Sequence, residues 1–146
     1  MKKRGRKGQL EISFGMIFSI VLIIAFLGFG FYAITKFIDF QNTIKIQKFL
    51  SDFQNDVTKM SKSPQGSTTL PYELPTYISS VCFVDDEYAN LIFTAKDIIP
   101  GKEIDYLNIG NITSVENPYC IQNVKGQVSI IIAKDFGEQL VRVERT

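Results

Sequence analysis

The residue types best suited to chemistry are two cysteines, Cys82 and Cys120, and an acidic tripeptide, Asp85-Asp86-Glu87, in a chain of 146 residues without His or Trp. Without His, neither a Ser/His/Asp nor a Cys/His arrangement can form, and the commonest general base is missing. Two Cys and no His also fall short of the usual four-ligand zinc site. Asp85-Asp86-Glu87 offers oxygens to a hard cation such as calcium. It lacks the alternate-residue ligand spacing and the glycine of a calcium loop, and reads as a solvated turn between strands. Asp135-Phe136-Gly137 matches the kinase magnesium tripeptide, but no other kinase element accompanies it, and it reads as a turn. Gly28-Phe29-Gly30 has no phosphate-binding context; inside an apolar helix such glycines loosen the helix or admit close packing. The expectation is no enzyme, no metal site and no cofactor.

The charged residues show where these groups sit. Lys+Arg number 16 against 15 Asp+Glu, a formal net charge of +1, which argues against a nucleic-acid partner. The distribution is uneven: residues 1–8 hold Lys2, Lys3, Arg4, Arg6 and Lys7 with no acid, so the rest of the chain is acidic. Between Glu11 and Lys36 no charge occurs, and residues 12–35 are almost wholly apolar. About 20 such residues span the roughly 30 Å hydrocarbon core of a bilayer, and a chain this short cannot wrap so apolar a helix on all sides. A single-pass transmembrane helix over 9–35 is therefore expected, after a basic leader over 1–8. The positive-inside tendency puts the N-terminus in the cytoplasm and the residues beyond about 36 outside the cytoplasmic membrane. A secretory signal peptide has a shorter apolar run and small residues before its cut. Phe31-Tyr32-Ala33 puts a bulky Phe where a small residue is needed, so cleavage after the run is not expected.

No Pro occurs before Pro64, and helical spacing continues past the apolar run. Phe37, Phe40 and Ile44 step by three and four, as do Ile46, Phe49 or Leu50, Phe53, Val57 and Met60. Asp39, Lys45, Lys48, Asp52, Asp56 and Lys59 fill the other face. An amphipathic continuation over 36–62 follows, suited to dock on the chain's own C-terminal domain or to form a coiled-coil seam. The turn formers of 63–69 read as a linker.

From 70 to 146 the pattern becomes short runs rich in β-branched and aromatic residues. Strands are expected at 77–84, 91–95, 104–109, 119–124, 127–134 and 139–144, with Lys125-Gly126 as a two-residue hairpin turn. The fold class is α+β: a long N-terminal helix, then a small antiparallel sheet or sandwich. Cys82 and Cys120 both fall in expected strands on the outer side. They either pair as a disulfide, worth roughly 4 kcal/mol in the loop-entropy picture, or stay as buried free thiols. Asn111-Ile112-Thr113 is an N-glycosylation sequon.

Glu11 has two readings. An acid at the start of a helix is favoured by the helix dipole and costs little at a membrane interface. Alternatively, cleavage after Gly8 would free the α-amino group of Gln9, and Glu11 of a neighbouring subunit could pair with it.

The segment Lys7-Gly8-Gln9-Leu10-Glu11-Ile12-Ser13-Phe14 behind a short basic leader resembles the type IV pilin superfamily, particularly archaeal pilin-like proteins with class III signal peptides. The archaeal pattern Gln-x-Ser-x-Glu occurs here with its last two residues exchanged, Glu11 standing third and Ser13 fifth. The resemblance implies that a membrane prepilin peptidase cuts between Gly8 and Gln9. The hydrophobic segment would stay in the mature subunit, its helices bundling into a filament core with β-rich heads outside. The implied function is a structural subunit of an extracellular filament or pseudopilus, assembling with copies of itself or with other pilin-like subunits. The alternative is an uncleaved, single-pass surface protein whose β-domain binds a partner.

Overall fold

A computed structural model describes residues 14–146. Gly8, Gln9 and Glu11, with the expected leader and the first residues of the 9–35 span, lie outside the described residues. The fold is α+β. Helix α1, Phe14–Lys62, is followed by strands β1 (Gly66–Glu73), β2 (Ile78–Phe83) and β3 (Leu91–Ala95). The short helix α2 (Ile109–Ile112) precedes β4 (Tyr119–Gln122), β5 (Gln127–Lys134) and β6 (Arg142–Arg145). Two antiparallel three-stranded sheets result, ordered β1-β5-β6 and β3-β2-β4. The chain divides between Phe40 and Gln41, inside α1, into two compact units.

In the unit from Gln41 onward, α1 supplies one side of the core. Ile46, Phe49, Phe53 and Val57 are buried, at the helical spacing of three and four residues. Phe49 meets Tyr72 of β1 and Phe93 of β3 edge-on, at 5.3 and 5.9 Å between ring centroids. Phe53 meets Tyr72 and Phe83 of β2, each at 5.8 Å. The helix therefore packs on both sheets through one aromatic cluster, and such pairs add to the area they bury. Ile44, by contrast, stays exposed.

Two polar anchors fix the helix. At its C-terminus the buried Lys134 ammonium, at the end of β5, donates to the carbonyls of Ser61 and Ser63. Ser61 belongs to the last turn and Ser63 lies just past it, where carbonyls lack helical partners and the dipole favours a cation. One turn into the sheet contact, the buried Tyr72 hydroxyl donates to Asp56 Oδ2 at 2.9 Å. Burial, the hydrogen bond to Asp56 and the charges of Asp56 and Asp52 all hold the phenol well above its usual 10.0. Below pH 10 the phenol is neutral in both folded and unfolded chains. Above it, the unfolded chain releases the proton while the folded one keeps it, so stability falls as pH rises. The expected slope from this group approaches about 1.4 kcal/mol per pH unit. Denaturation of the wild type and Tyr72→Phe between pH 9 and 11 should show the variant losing stability less steeply.

The structure corrects three expectations. The stretch 63–69, read as a linker, contains the start of β1 at Gly66, which pairs in unbroken register with β5 from Gly66↔Lys134 to Glu73↔Gln127. Residues 104–109, read as a strand, form a loop entering α2. The Ile104 backbone is held on both sides by the Asn90 amide, the Asp105 N–H goes to Gln54 Oε1, and Tyr106 takes φ 66°. Backbone groups of Ile104 and Asp105 committed to side chains cannot extend a ladder, and only a single parallel bridge, Leu107 to Val141, forms beyond them. Finally, Lys125 (φ 54°) and Gly126 (φ 87°) do form a tight two-residue turn, closed by Val124 and Gln127. It leads from β4 in one sheet to β5 in the other, so it is a sheet-switching corner.

Candidate functional site

From Phe14 to Phe40 every described side chain except Gly30 is exposed, and the exposed set includes Phe14, Phe18, Phe26, Phe29 and Phe31. The helix is long and apolar enough to cross a membrane. The two aliphatic hydroxyls of this segment bond within the helix: Ser19 Oγ donates to the Gly15 carbonyl at 2.8 Å, and Thr35 Oγ1 to the Tyr32 carbonyl at 2.9 Å. Internal satisfaction of this kind is what a hydrocarbon environment demands. A Cβ added at Gly28 or Gly30 would meet open space, so neither glycine is needed for packing among the described residues. At the C-terminal border of the apolar run, the Lys36 ammonium lies 5.9 Å from the centre of the Tyr32 ring. An aromatic and a lysine one turn apart are the pair that anchors a helix at a bilayer surface. The i, i+4 spacing was visible in the sequence but carries no weight until the helix is established.

In the unit from Gln41 onward, Cys82 and Cys120 form a disulfide. They are directly opposed in the β2–β4 ladder, Cys82↔Cys120, with Cα atoms 4.0 Å apart. Asp85-Asp86-Glu87 occupies the exposed connection from β2 to β3, where Asp86 Oδ1 accepts from the Tyr88 N–H at 2.9 Å. Asp135-Phe136-Gly137 turns β5 into β6. Gly137 has φ 87°, and Arg142 holds Asp135 at 2.7 Å and Glu138 at 3.3 Å. No group of three His, Cys, Asp or Glu side chains placed to hold a metal ion occurs among the described residues. Asn111 is exposed on α2, with Thr113 Oγ1 donating to the Ile109 carbonyl at 2.7 Å. A shallow groove between β4 and β6 is crossed by Arg145. Its guanidinium bonds Glu116 at 2.6 Å and the Cys120 carbonyl at 2.8 Å, and stacks 4.3 Å from the Tyr119 ring centre. This clamp ties the C-terminal strand to the start of β4, and no sequence motif announces it.

Comparison of the chain with known protein families, with curated proteins and with solved structures finds no match.

The arrangement thus offers two things: an unpartnered apolar helix segment, and a disulfide-closed β-domain built on the continuation of that helix. The first can be buried in lipid or among other helices. The second is a compact unit with loops at both ends of its sheets.

Proposed function

We propose that this chain is a pilin-like structural subunit, held in the cytoplasmic membrane by residues 12–35 before it assembles into an extracellular filament or pseudopilus. The observation that carries the reading is the apolar half of α1. It is exposed along its described length, bonds its Ser19 and Thr35 hydroxyls to its own carbonyls, and passes without a break into the helix that organises the β-domain. The five basic residues before the span support a cytoplasmic N-terminus, and the disulfide supports an oxidising compartment for residues 41–146. In this reading a prepilin peptidase cuts between Gly8 and Gln9. The apolar helices then exchange lipid for one another, with Phe side chains supplying contact area and Gly15, Gly28 and Gly30 allowing close approach. Glu11 would pair with the new α-amino group of a neighbouring subunit.

The test is the N-terminus of the protein purified from membranes containing a prepilin peptidase. Sequencing and intact mass should show a chain beginning at Gln9. A chain retaining Met1 would overturn the pilin reading and leave an uncleaved, membrane-anchored surface protein.

A further inference from the structure

The domain from Gln41 onward has two ends, and the strand registers say which loops lie at each. In the β3-β2-β4 sheet, Ile78 pairs with Ala95, and the Asn123 N–H reaches the Ser79 carbonyl at 2.9 Å. Tyr77, the 96–98 loop and the Val124–Lys125 corner therefore share one end. The same end faces the start of α1 in this domain. One groove is bounded by Thr43, Ile46, Tyr77 and Ile98, and another by Asn42, Lys45, Thr76 and Lys125. The opposite end holds the Asp85-Asp86-Glu87 connection, beyond the Phe83↔Leu91 pair, and the Asp135–Gly137 turn. That turn follows Lys134, whose ammonium is bonded to Ser61 and Ser63. The helix from Thr43 to Ser61 separates the two ends by about 27 Å.

The end around Thr43 carries large apolar side chains that remain exposed to solvent. Ile98 is 100% exposed, Val124 64% and Tyr77 41%, with Ile44 exposed beside them on the helix. Lys45, Lys96 and Lys125 are interspersed, against the acids Glu73 and Asp97. Apolar tips, a tyrosine and a lysine excess form the composition of a surface that sits in the headgroup layer of a bilayer. Chain connectivity names the occupant. Gln41 follows the charge-free run by only six residues, which reach at most about 20 Å even fully extended. The loops beside Asn42 and Thr43 are thus tethered within reach of any bilayer that residues 12–35 cross.

We infer that Tyr77, Ile98, Val124 and the lysines Lys45, Lys96 and Lys125 form a lipid-contacting collar that seats the β-domain on the outer surface of the membrane. The inference rests on the membrane-anchor part of the proposed function and not on filament assembly. Tyr77 and Ile98 would lie at headgroup depth, the lysine stems would extend along the apolar tips, and their ammonium groups would meet lipid phosphates. The acidic Asp85-Asp86-Glu87 end would face away from the bilayer.

Because the chain has no Trp, a single introduced Trp is a unique reporter. The full chain is reconstituted into vesicles that mix phosphatidylcholine brominated near the headgroup end of its acyl chains with phosphatidylcholine brominated near their methyl ends. Emission is compared with that in unbrominated vesicles for Phe26→Trp, Ile98→Trp, Val124→Trp and Phe136→Trp. Phe26 reports insertion of the span, and Phe136, exposed at the far end, is the control. The expected result is strong quenching for Phe26→Trp, about twofold quenching for Ile98→Trp and Val124→Trp, and none for Phe136→Trp. Quenching of Phe26→Trp with none at 98 and 124 overturns the collar and leaves the anchor standing. Equal quenching at 98 and 136 overturns the end-specific contact. Absence of quenching at Phe26→Trp overturns the anchor, and the collar with it.

Discussion

Truncating Phe53 to Ala is expected to lower the stability of the 41–146 domain by about 3–5 kcal/mol. The ring is fully buried and stands where helix and both sheets meet, touching Phe49, Tyr72 and Phe83. Its removal deletes transfer free energy and leaves a cavity that two sheets and a helix cannot close together. Against a typical total of about 5–15 kcal/mol, this takes a large share of the domain's stability. Phe136→Ala provides the contrast: the ring is exposed on a turn, and the change should stay within about 0.5 kcal/mol. Urea denaturation of the detergent-solubilised chain, followed by tyrosine emission, measures both. Equal midpoint shifts would mean that α1 does not carry the core.

Breaking the Cys82–Cys120 disulfide is expected to cost about 4 kcal/mol, since it closes a loop of 38 residues in sequence separation. Between the two cysteines lie β3, the 104–108 loop and α2, so the β2–β4 pairing is wholly non-local. In the unfolded chain the bond holds those two strands as near neighbours and removes most of the closure entropy that the ladder would otherwise cost. Oxidised protein should therefore unfold at clearly higher urea concentration than reduced protein, and Cys82→Ala with Cys120→Ala should match the reduced form. Coincident curves for oxidised and reduced protein would show that the sheet pairs equally well without the bond. A small domain with a modest core gains most from such a link.

The two effects act on different parts of one mechanical problem. Phe53 couples the helix to both sheets, and the disulfide fixes β4 against β2. Lys134 closes the far end by satisfying the last carbonyls of α1, so the helix stops where the strand ends.

Helix α1 was legible in the sequence because its signals are local. The charge-free run, the absence of Pro before Pro64 and the apolar spacing from Ile46 to Val57 each lie within a few turns. Strands β2, β3 and β5 were legible for a similar reason, since dense β-branched runs such as residues 127–134 have few other uses. Strand β1 was hidden by its own composition: Gly66-Ser67-Thr68-Thr69 and Pro71 are turn formers. An edge position lets Pro71 stay, because the order β1-β5-β6 leaves one side of β1 without a ladder partner.

By itself, then, the sequence determined an apolar helix too long and too charge-free for the core of a small domain. It also determined that this helix continues as an amphipathic one ahead of a β-rich region. Its net charge of +1 is the sum of a basic start and an acidic remainder. Only the tertiary structure decided that Cys82 faces Cys120, because ladder register depends on partners far apart in the chain. It alone decided that the Lys125-Gly126 turn changes sheets, and that Ile104 and Asp105 bond to Asn90 and Gln54 instead of a neighbouring strand. It alone gathered Tyr77, Ile98 and Val124 at one end of the domain. Local composition sets what a segment can become. Where its backbone groups and exposed side chains find partners is settled by the rest of the chain.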